Sequence, residues 1–216
     1  CISNDPSFEL NPDLGKSINY DCFEPLIKVS KDNGVKKFIY ASSSSVYGVK
    51  KNIDVTEKLS LEPLTDYSKY KAKCEDILFK YNDNNFNCVI LRPATVCGYS
   101  KRQRLDVVVN IFANFAYHKN HITIFGGKQL RPNINIIDMV NSYLLILNAD
   151  NKKINGEIYN VGYENYSLIQ LAEITKKVIG EHVQTTVENS NDDRSYHINS
   201  DKIINDLNFK YKHTIE

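Results

Sequence analysis

The sequence has almost no excess of charge of either sign. Its 27 lysines and arginines nearly balance 26 aspartates and glutamates, which gives a net charge of +1 over 216 residues. Binding to nucleic acid or to an anionic membrane depends on a concentrated positive field, and this mixed charge does not supply one. We therefore expect neither nucleic acid nor a membrane as partner, and any anion site must be local.

Long apolar runs are also missing. No stretch approaches the roughly 18 consecutive apolar residues of a membrane-spanning helix. The amino end has no charged head followed by an apolar signal core, so a cytoplasmic location is expected. With 42% hydrophobic and 25% charged residues, the composition is typical of a globular protein and permits one large domain or two lobes.

Cysteine pairs at metal-binding spacing are absent. The five cysteines are Cys1, Cys22, Cys74, Cys88 and Cys97. They are odd in number, widely spaced and without a C-x-x-C, so neither a zinc site nor a disulfide framework is predicted. We expect reduced, mostly buried thiols and no bound metal.

Four consecutive serines follow an apolar strand directly in residues 37–48, which read KFIYASSSSVYG. Phe38, Ile39 and Tyr40 are β-branched or aromatic, as in a strand buried on both faces of a parallel sheet. In open α/β sheets, ligands bind beyond the carboxyl ends of the strands. The serines therefore indicate a binding or catalytic site more than a simple turn.

Helix and strand alternate around this segment. Residues 66–81 place apolar side chains at helical spacing opposite lysines and acids, and 87–98 (NCVILRPATVCG) forms a second continuous apolar strand. Strand, helix and strand in this order predict a βαβ unit and a parallel sheet. An earlier helix is expected over 11–34, with Pro25 either kinking it or marking its real start.

Beyond Gly98 the pattern changes, and the chain is expected to leave the first sheet. A basic loop precedes an apolar helix over about 105–117 and a short strand, HITIFGG. Further strands and helices follow, including a helix with Ser167 as its N-cap and Gly180 at its end.

Tyr67 and Lys71 lie four residues apart in YSKYK, near the start of the predicted 66–81 helix. This spacing places both side chains on one helical face, one turn apart. A tyrosine, whose pKa is normally about 10, becomes a usable acid or base when a nearby ammonium favours its phenolate. With a serine hydroxyl sharing the proton, the trio suits oxidation of an alcohol. Y-x-x-x-K also arises by chance, as Tyr47 and Lys51 show, and only its coupling to the serine-ended strand makes it restrictive.

Together, KFIYASSSSVYG, YSKYK and LRPATVCG resemble blocks of the extended short-chain dehydrogenase/reductase family, especially its nucleotide-sugar epimerases and dehydratases of the UDP-glucose/galactose 4-epimerase type. FGGKQLRPNINIIDMV, EIYNVGYENYSL and RSYHINSDKI are similar to later blocks, so the likeness covers nearly the whole chain. It implies an α/β fold, a partial Rossmann-type, doubly wound parallel sheet with a smaller α/β substrate-binding lobe. Residues 1–98 would be the carboxyl-terminal part of the NAD-binding domain, and 99–216 mainly the substrate lobe, with 133–162 returning to the sheet.

The resemblance also implies roles for individual residues. Ser43 would be the catalytic hydroxyl, Tyr67 the acid/base, and Lys71 the cation that lowers the pKa of Tyr67. The residues implied to contact NAD are Asn19, Ala41, Ser42, Tyr67, Lys71, Pro93 and Ala94. Those implied to contact a nucleotide-diphosphate sugar are Ser43, Thr95, Asn110, Phe125, Arg131, Arg194 and Tyr196. Arg131 would bind the diphosphate, which suits the paired donors of a guanidinium, and Phe125 would stack on the base.

The family's glycine-rich turn, G-x-x-G-x-x-G, is not found in this sequence. That turn cradles the cofactor pyrophosphate at a helix amino end, and the FGG at 125–127 has the wrong spacing. The opening residues resemble the segment after the family's fourth strand, so the first βαβαβ portion and the closing helix are expected to be missing. We therefore expect a fragment truncated at both ends, or half of a split protein, that binds NAD poorly and is inactive alone. NAD is favoured over NADP as the family cofactor.

The residues after Ser43 bear on the reaction. Family 4,6-dehydratases resemble one another in carrying Asp-Glu there, whereas this sequence has Ser44 and Ser45. The implied reaction is a 4-epimerisation through a 4-keto sugar, with a sugar-nucleotide ketoreductase or a dehydratase as the alternative. A different class also stays open, a cofactor-less, non-catalytic binding or assembly module. The resemblance further implies a homodimer through a helix bundle that includes the helix of Tyr67 and Lys71.

Overall fold

The central sheet consists of three parallel strands. The computed structural model describes residues 2–50, 54–190, 195 and 197–216. The strands are β1 (Lys37–Ala41), β2 (Asn87–Pro93) and β6 (Ile158–Val161), in the order β1-β2-β6. Pairing of β1 with β2 runs from Lys37 opposite Asn87 to Ala41 opposite Leu91, so the carboxyl ends of the two strands lie side by side.

Strand β2 is buried on both faces, which explains its continuous apolar sequence. On one face, Ile90 packs in a cluster with helices α3 (Phe23–Asp32) and α4 (Asp66–Tyr81). On the other face, Leu91 belongs to the cluster that contains helix α6 (Ile136–Asn148). Helices on both faces of a parallel sheet form a doubly wound α/β arrangement, as predicted.

Two smaller sheets lie beyond β2. The first contains β3 (Thr95–Cys97), β5 (Leu130–Asn135) and β7 (Glu164–Ser167), with β3 parallel and β7 antiparallel to β5. The second is the parallel pair β4 (His121–Phe125) and β8 (Gln184–Glu188). Helices α5 (Val108–Lys119) and α8 (Leu168–Ile179) pack on β4 around a third apolar cluster that includes Phe112 and Ile122.

The helix expected over 11–34 is wrong as one continuous element. The segment contains α2 (Pro12–Lys16), a π-helical turn (Ser17–Asp21) and α3. Pro25 is the third residue of α3, where its missing N–H leaves no intrahelical bond unmade. Of the two alternatives, the structure places Pro25 in the first turn of a helix. The remaining short helices are α1 (Asp5–Glu9), α7 (Asn151–Ile154) and α9 (Asp201–Leu207).

The helix caps predicted from the sequence are present. Ser167 accepts a hydrogen bond from the backbone N–H of Gln170 and caps α8, which ends before Gly180 with its φ of 144°. Helix α5 begins at Val108 and ends at Lys119, a shift of two to three residues from the expected 105–117. The shift is ordinary, because helix ends are the least certain feature of a periodicity pattern.

The region 133–162 contacts the central sheet through strand β6 and helix α6, among other contacts. Strand β6 pairs with β2, and the Nζ of Lys37 in β1 donates to the last carbonyls of α6, at 2.9 Å to Ile146 O and 2.8 Å to Leu147 O. A cation at a helix carboxyl end satisfies unpaired carbonyls and opposes the helix dipole. The division of the chain at residue 98 into two units stays a prediction.

The described cysteines are free thiols. Cys22 is exposed, Cys74, Cys88 and Cys97 are buried, and Cys1 lies outside the described residues. Within the described ranges, no three His, Cys, Asp or Glu side chains cluster in a way that could hold a metal ion. Over the same ranges, every helix is too short or too polar to cross a membrane.

Candidate functional site

A cavity of about 600 Å³ opens where β1 and β2 end and extends towards β4 and β5. Parallel strands that end side by side leave such a crevice, because their connections diverge to opposite faces of the sheet. The predicted residues that line it are Ala41, Ser42, Ser43, Tyr67, Lys71, Pro93, Ala94, Thr95, Phe125 and Arg131. Residues predicted to contact the cofactor and residues predicted to contact the substrate therefore share one space.

Residues 42–47, called the serine loop below, carry Ser43 along the cavity wall. Ser43 is extended, with φ of −160° and ψ of 146°, and precedes a short 3-10 helix (Ser44–Tyr47). Its Oγ accepts from the backbone N–H of Ser45 at 3.2 Å and lies 2.8 Å from Ser45 Oγ. Serine is favoured at such a cap because its oxygen satisfies an N–H that has no helical partner. Local structure thus fixes the hydroxyl of Ser43 at the cavity.

Helix α4 presents Tyr67 and Lys71 from its first turns. Thr65 and Ser68 form a capping box, in which Thr65 Oγ1 accepts from Ser68 N at 3.3 Å and Ser68 Oγ accepts from Thr65 N at 3.1 Å. Such reciprocal bonds fix where a helix begins. Tyr67 and Lys71 are only 8% and 7% exposed. The helix start therefore sets the depth at which both groups enter the cavity wall.

Lys71 is an ammonium held in largely apolar surroundings. Its Nζ donates to Ala41 O at 2.7 Å and lies 5.0 Å from the ring centroid of Tyr40 and 5.8 Å from that of Tyr67. Burial lowers the pKa of Lys71 to about 8, and the nearby Cys74 and Glu75 oppose this shift. Lys71 is still mainly protonated at pH 7. The Lys71 ammonium therefore lies within cation–π distance of the Tyr67 ring.

Another part of the cavity wall carries residues predicted to contact the nucleotide sugar. Phe125 ends β4 with 54% of its surface exposed, so much of the ring is accessible. Arg131 in β5 lines the same wall, with Nη1 donating to Leu130 O at 3.0 Å. Thr95 begins β3 close to the end of β2. This wall thus combines an aromatic face with a guanidinium, as a base and a diphosphate require.

Two predicted contacts lie away from the cavity. The side chain of Asn19 is bonded to Ile2, at 2.9 Å from Ile2 N and 2.8 Å to Ile2 O. Asn110 accepts from Gly98 N at 3.0 Å and donates to Arg104 O at 2.7 Å. Each amide is occupied by a neighbouring backbone, so in this structure both residues hold loops and do not line the cavity. Arg194 and Tyr196 lie outside the described residues.

Sequence reasoning missed a buried polar pair beneath the serine loop. Glu75 of α4 and Arg92 of β2 are both buried and joined by two hydrogen bonds. A signal for them was available, since Arg92 is a lone charge inside an apolar strand and Glu75 follows Lys71 by one helical turn. Fully buried acids and bases are uncommon unless they are paired.

A second missed pair borders the cavity mouth. Arg104 donates to Asp106 from Nε at 3.0 Å and from Nη2 at 2.8 Å, and Asp106 accepts from Asn4 Nδ2 at 3.1 Å. All three residues line the cavity. These contacts join the amino-terminal segment to the loop before α5. Exposed pairs of this kind leave no distinctive trace in a sequence pattern.

Comparison with known proteins identifies the family. Residues 3–162 match the model of the NAD-dependent epimerase/dehydratase family. The chain belongs to this family. The resemblance inferred from the serine-ended strand and the Tyr67–Lys71 pair is therefore confirmed.

Individual relatives include both epimerases and dehydratases. An uncharacterised UDP-glucose epimerase of Bacillus subtilis is 30% identical over 165 residues, covering 75% of this chain and 51% of that protein. A dTDP-D-glucose 4,6-dehydratase of Mus musculus is 31% identical over 159 residues, covering 72% of this chain and 43% of that protein. The chain thus spans about half the length of these two relatives.

A solved structure extends the comparison to the fold. The UDP-glucuronic acid 4-epimerase of Bacillus cereus, in complex with UDP-glucuronic acid and NAD, is 28% identical and superposes with a TM-score of 0.80. The match covers 91% of this chain and 63% of that one. It confirms the Rossmann-type α/β fold. It also confirms NAD as the cofactor at the level of the family.

The residues at the ends of β1 and β2 fit the nicotinamide-ribose end of NAD. Ala41, Pro93 and Ala94 are small or flat side chains that allow a ring to approach the strand ends. One N–H of the Lys71 ammonium donates to Ala41 O, and the ammonium has further donors that can reach a ribose hydroxyl. The sequence supplies no glycine-rich turn for the pyrophosphate, so these residues would hold only one end of the cofactor.

Proposed function

We propose that this chain supplies the acid/base and sugar-binding parts of an NAD-dependent nucleotide-sugar 4-epimerase. The observation that carries the proposal is the single cavity shared by Ser43, Tyr67 and Lys71. The two residues after Ser43 are hydroxyls, Ser44 and Ser45, and not the carboxyls that an added elimination step would use. With NAD as the hydride acceptor, the trio supplies the acid/base groups that reversible oxidation of a sugar hydroxyl needs.

Each member of the trio has one task in this proposal. Tyr67, as its phenolate, accepts the proton of the sugar 4-hydroxyl while Ser43 donates a hydrogen bond to the same oxygen. The Lys71 ammonium stabilises the phenolate charge. Bound NAD supplies the reversible two-electron oxidation at carbon 4. After the 4-keto sugar presents its other face, Tyr67 returns the proton to the oxygen.

Turning the sugar requires firm contacts at the nucleotide and loose ones at the sugar. Arg131 is proposed to bind the diphosphate with the paired donors of its guanidinium, and the exposed ring of Phe125 to stack on the base. Thr95 is proposed to contact the sugar from the start of β3. These three residues line the same cavity as Tyr67.

Arg104 gives a reason to test an acidic sugar beside neutral ones. Its guanidinium lines the cavity, although Asp106 already compensates its charge. The Bacillus cereus relative is a UDP-glucuronic acid 4-epimerase. A uronic acid carboxylate is therefore a second substrate class that this cavity could accept.

The alternatives remain distinct. A dehydratase needs an additional acid and base, and the carboxyls that line the cavity within the described residues, Asp5 and Asp106, are bonded to Thr65 and Arg104. A ketoreductase would use the same trio once. A cofactor-less module would bind a nucleotide sugar without turning it over.

Product identification separates these functions. The full-length protein is incubated with NAD and, in separate reactions, UDP-glucose, UDP-glucuronic acid and dTDP-glucose, and products are assigned by NMR. The 4-epimer of at least one sugar is expected. A 4-keto-6-deoxy product would assign a dehydratase instead, net reduction of a supplied keto sugar would assign a ketoreductase, and binding without product would assign the module.

The proposal includes a homodimer through α3 and α4. Leu26 and Val29 lie one turn apart on α3 and are 52% and 60% exposed. The apolar residues of α4 are buried against α3 and the sheet. In this arrangement α3, more than α4, offers the apolar surface for a second copy.

A further inference from the structure

The buried ion pair of Glu75 and Arg92 has favourable geometry on every contact. Arg92 donates from Nε to Glu75 Oε1 at 3.0 Å and from Nη2 to Glu75 Oε2 at 2.6 Å. The two side chains are only 3% and 4% exposed. Removing two charges from water carries a large free-energy cost, which two parallel hydrogen bonds only offset. The presence of this ion pair in the core therefore requires a reason other than stability.

The ion pair is bonded to both ends of the serine loop. At the amino end, Ser42 Oγ donates to Glu75 Oε1. At the carboxyl end, Tyr47 OH accepts from Arg92 Nη1 at 2.7 Å and donates to Asn160 Oδ1 at 2.7 Å. Burial raises the pKa of Tyr47 to about 12, so its hydroxyl keeps the proton that it donates. Each end of the loop is thus attached to one member of the pair.

Glu75 also shares a rigid element with the acid/base groups. It follows Lys71 by one turn and Tyr67 by two turns on α4, and the rise of about 1.5 Å per residue fixes these spacings. Ser43 is the residue after Ser42. The Ser42–Glu75 bond therefore connects the catalytic hydroxyl to the same helix that carries Tyr67 and Lys71.

Beyond Tyr47, the hydrogen-bond network continues through Asn160 to neighbouring loop residues. Asn160 Nδ2 donates to Val55 O at 3.0 Å and to Asn199 O at 2.9 Å, and Asn160 N donates to Glu57 Oε1 at 2.7 Å. A buried polar network whose members are all bonded is rigid and defines one arrangement. Through Asn160, Tyr47 is therefore connected to the backbone of Val55 and Asn199.

We propose that Glu75 and Arg92 are positioning residues that hold Ser43 in register with Tyr67 and Lys71. The role assigned to this trio rests on the proposed function. Stability alone does not explain the pair, because buried ion pairs can often be replaced by apolar residues without loss of stability. Catalysis is more demanding, since reacting groups need placement within about 0.5 Å.

Two bonds attach the serine loop to the ion pair, and they are called the anchors below. One conservative substitution removes each anchor and leaves the ion pair intact. Ser42→Ala removes the bond to Glu75, and Tyr47→Phe removes the bond to Arg92. Misplacement of Ser43 is expected to reduce kcat of the full-length enzyme by up to about 10²-fold while KM changes little. The matched control for Ser42→Ala is Ser142→Ala, because Ser142 is a buried serine that donates to Met139 O. The matched control for Tyr47→Phe is Tyr159→Phe, because Tyr159 is a buried tyrosine whose hydroxyl has no hydrogen-bond partner among the described residues. Both controls are expected to keep the wild-type kcat.

A third variant separates positioning from stability. In the double variant Glu75→Leu with Arg92→Met, the buried space is filled by apolar side chains and the anchors of the serine loop are lost. We expect a melting temperature near that of the wild type and a kcat as low as in the anchor variants. Wild-type kcat in a folded double variant would overturn the proposal, as would equal kcat values in the anchor and control variants.

Hydrogen exchange provides a readout that does not depend on turnover. The backbone N–H of Val46 donates to Ser43 O and that of Gly48 to Ser45 O. In Ser42→Ala, these amides are expected to exchange faster while those of β2 do not change. Absence of turnover in the wild type with every sugar would contradict the proposed function alone. Unchanged exchange in both anchor variants would contradict the positioning role.

Discussion

At the scale of single residues, Lys71 lies at a buried site that disfavours its positive charge. Burial lowers the pKa of Lys71 to about 8, with only partial compensation from Cys74 and Glu75. Functional groups are often kept at a cost in stability, because a site optimised for folding would contain an apolar side chain. We therefore attribute the buried charge of Lys71 to its proposed role beside Tyr67.

Replacing Lys71 by methionine should raise stability and abolish turnover. In the unfolded chain the pKa of a lysine is about 10.4. Between pH 8 and that value the unfolded state therefore binds more protons than the folded state, and the free energy of unfolding rises with pH. The cost of burying the charge is present in full below pH 8. Urea unfolding at pH 7 and about pH 9 measures this rise. The variant should be more stable at pH 7 and lack this contribution, and a less stable variant would refute the account.

Tyr67→Phe tests the acid/base group directly. Loss of the phenol should reduce turnover of the full-length enzyme by roughly 10²–10⁴, the range for general acid/base catalysis, and leave nucleotide-sugar affinity nearly unchanged. Tyr70→Phe is the matched control, since Tyr70 lies on the same helix and packs on Tyr20 and Phe8. Steady-state kinetics and calorimetric titration measure both quantities. Undiminished turnover in Tyr67→Phe would remove Tyr67 from its role.

At the scale of elements, the serine loop is followed by a glycine, Gly48, that no other residue can replace easily. Gly48 has φ of 67°, and a Cβ there would lie 2.0 Å from Glu62 O. Gly34 has a similar φ of 78° but open space around it. The left-handed conformation costs a non-glycine residue about 1–2 kcal/mol by itself. The clash with a backbone oxygen adds to this cost at Gly48 alone.

Gly48→Ala should therefore destabilise the protein more than Gly34→Ala. The Gly34 variant should lose about 1–2 kcal/mol of unfolding free energy, and the Gly48 variant clearly more, because the backbone of residue 62 must move. Denaturant titration of both variants measures the difference. Equal losses would mean that the close approach of Gly48 to Glu62 does not constrain the loop.

The elements that the sequence predicted correctly are those defined by local signals. Strand β2 is continuously apolar because both its faces are buried, and α8 has a serine cap and a glycine end. What the sequence could not supply was the tertiary partner of each polar side chain. Asn19 is bonded to Ile2, and Arg92 is joined to Glu75 across 17 residues. These partners depend on how the elements pack.

At the scale of the whole molecule, the apolar surface of α3 is one feature that bears on the proposed assembly. Leu26 and Val29 are exposed side by side, and α3 packs on α4. Exposed apolar side chains that adjoin one another on a helix pair are typical of interfaces, whereas scattered single ones are not. A second copy could bury them in a four-helix arrangement.

Val29→Lys should therefore disrupt a homodimer of the full-length protein. A buried ammonium at a helix–helix interface has no partner there, so the equilibrium moves to the monomer. Val178→Lys on α8 is the matched control, since Val178 is 58% exposed and Val29 60%. Sedimentation velocity should show a dimer for the wild type and the control, and a monomer for Val29→Lys. A monomeric wild type would contradict the assembly.

The fate of one hydrogen atom tests the proposed 4-epimerisation most directly. A nucleotide sugar carrying deuterium at carbon 4, of the type that the full-length protein accepts, is converted in the presence of NAD and followed by NMR. The account predicts an inverted sugar with the deuterium still at carbon 4, because the oxidation at that carbon is reversed at the same carbon. A product that has lost the deuterium from carbon 4, or carries it at carbon 6, would contradict the account.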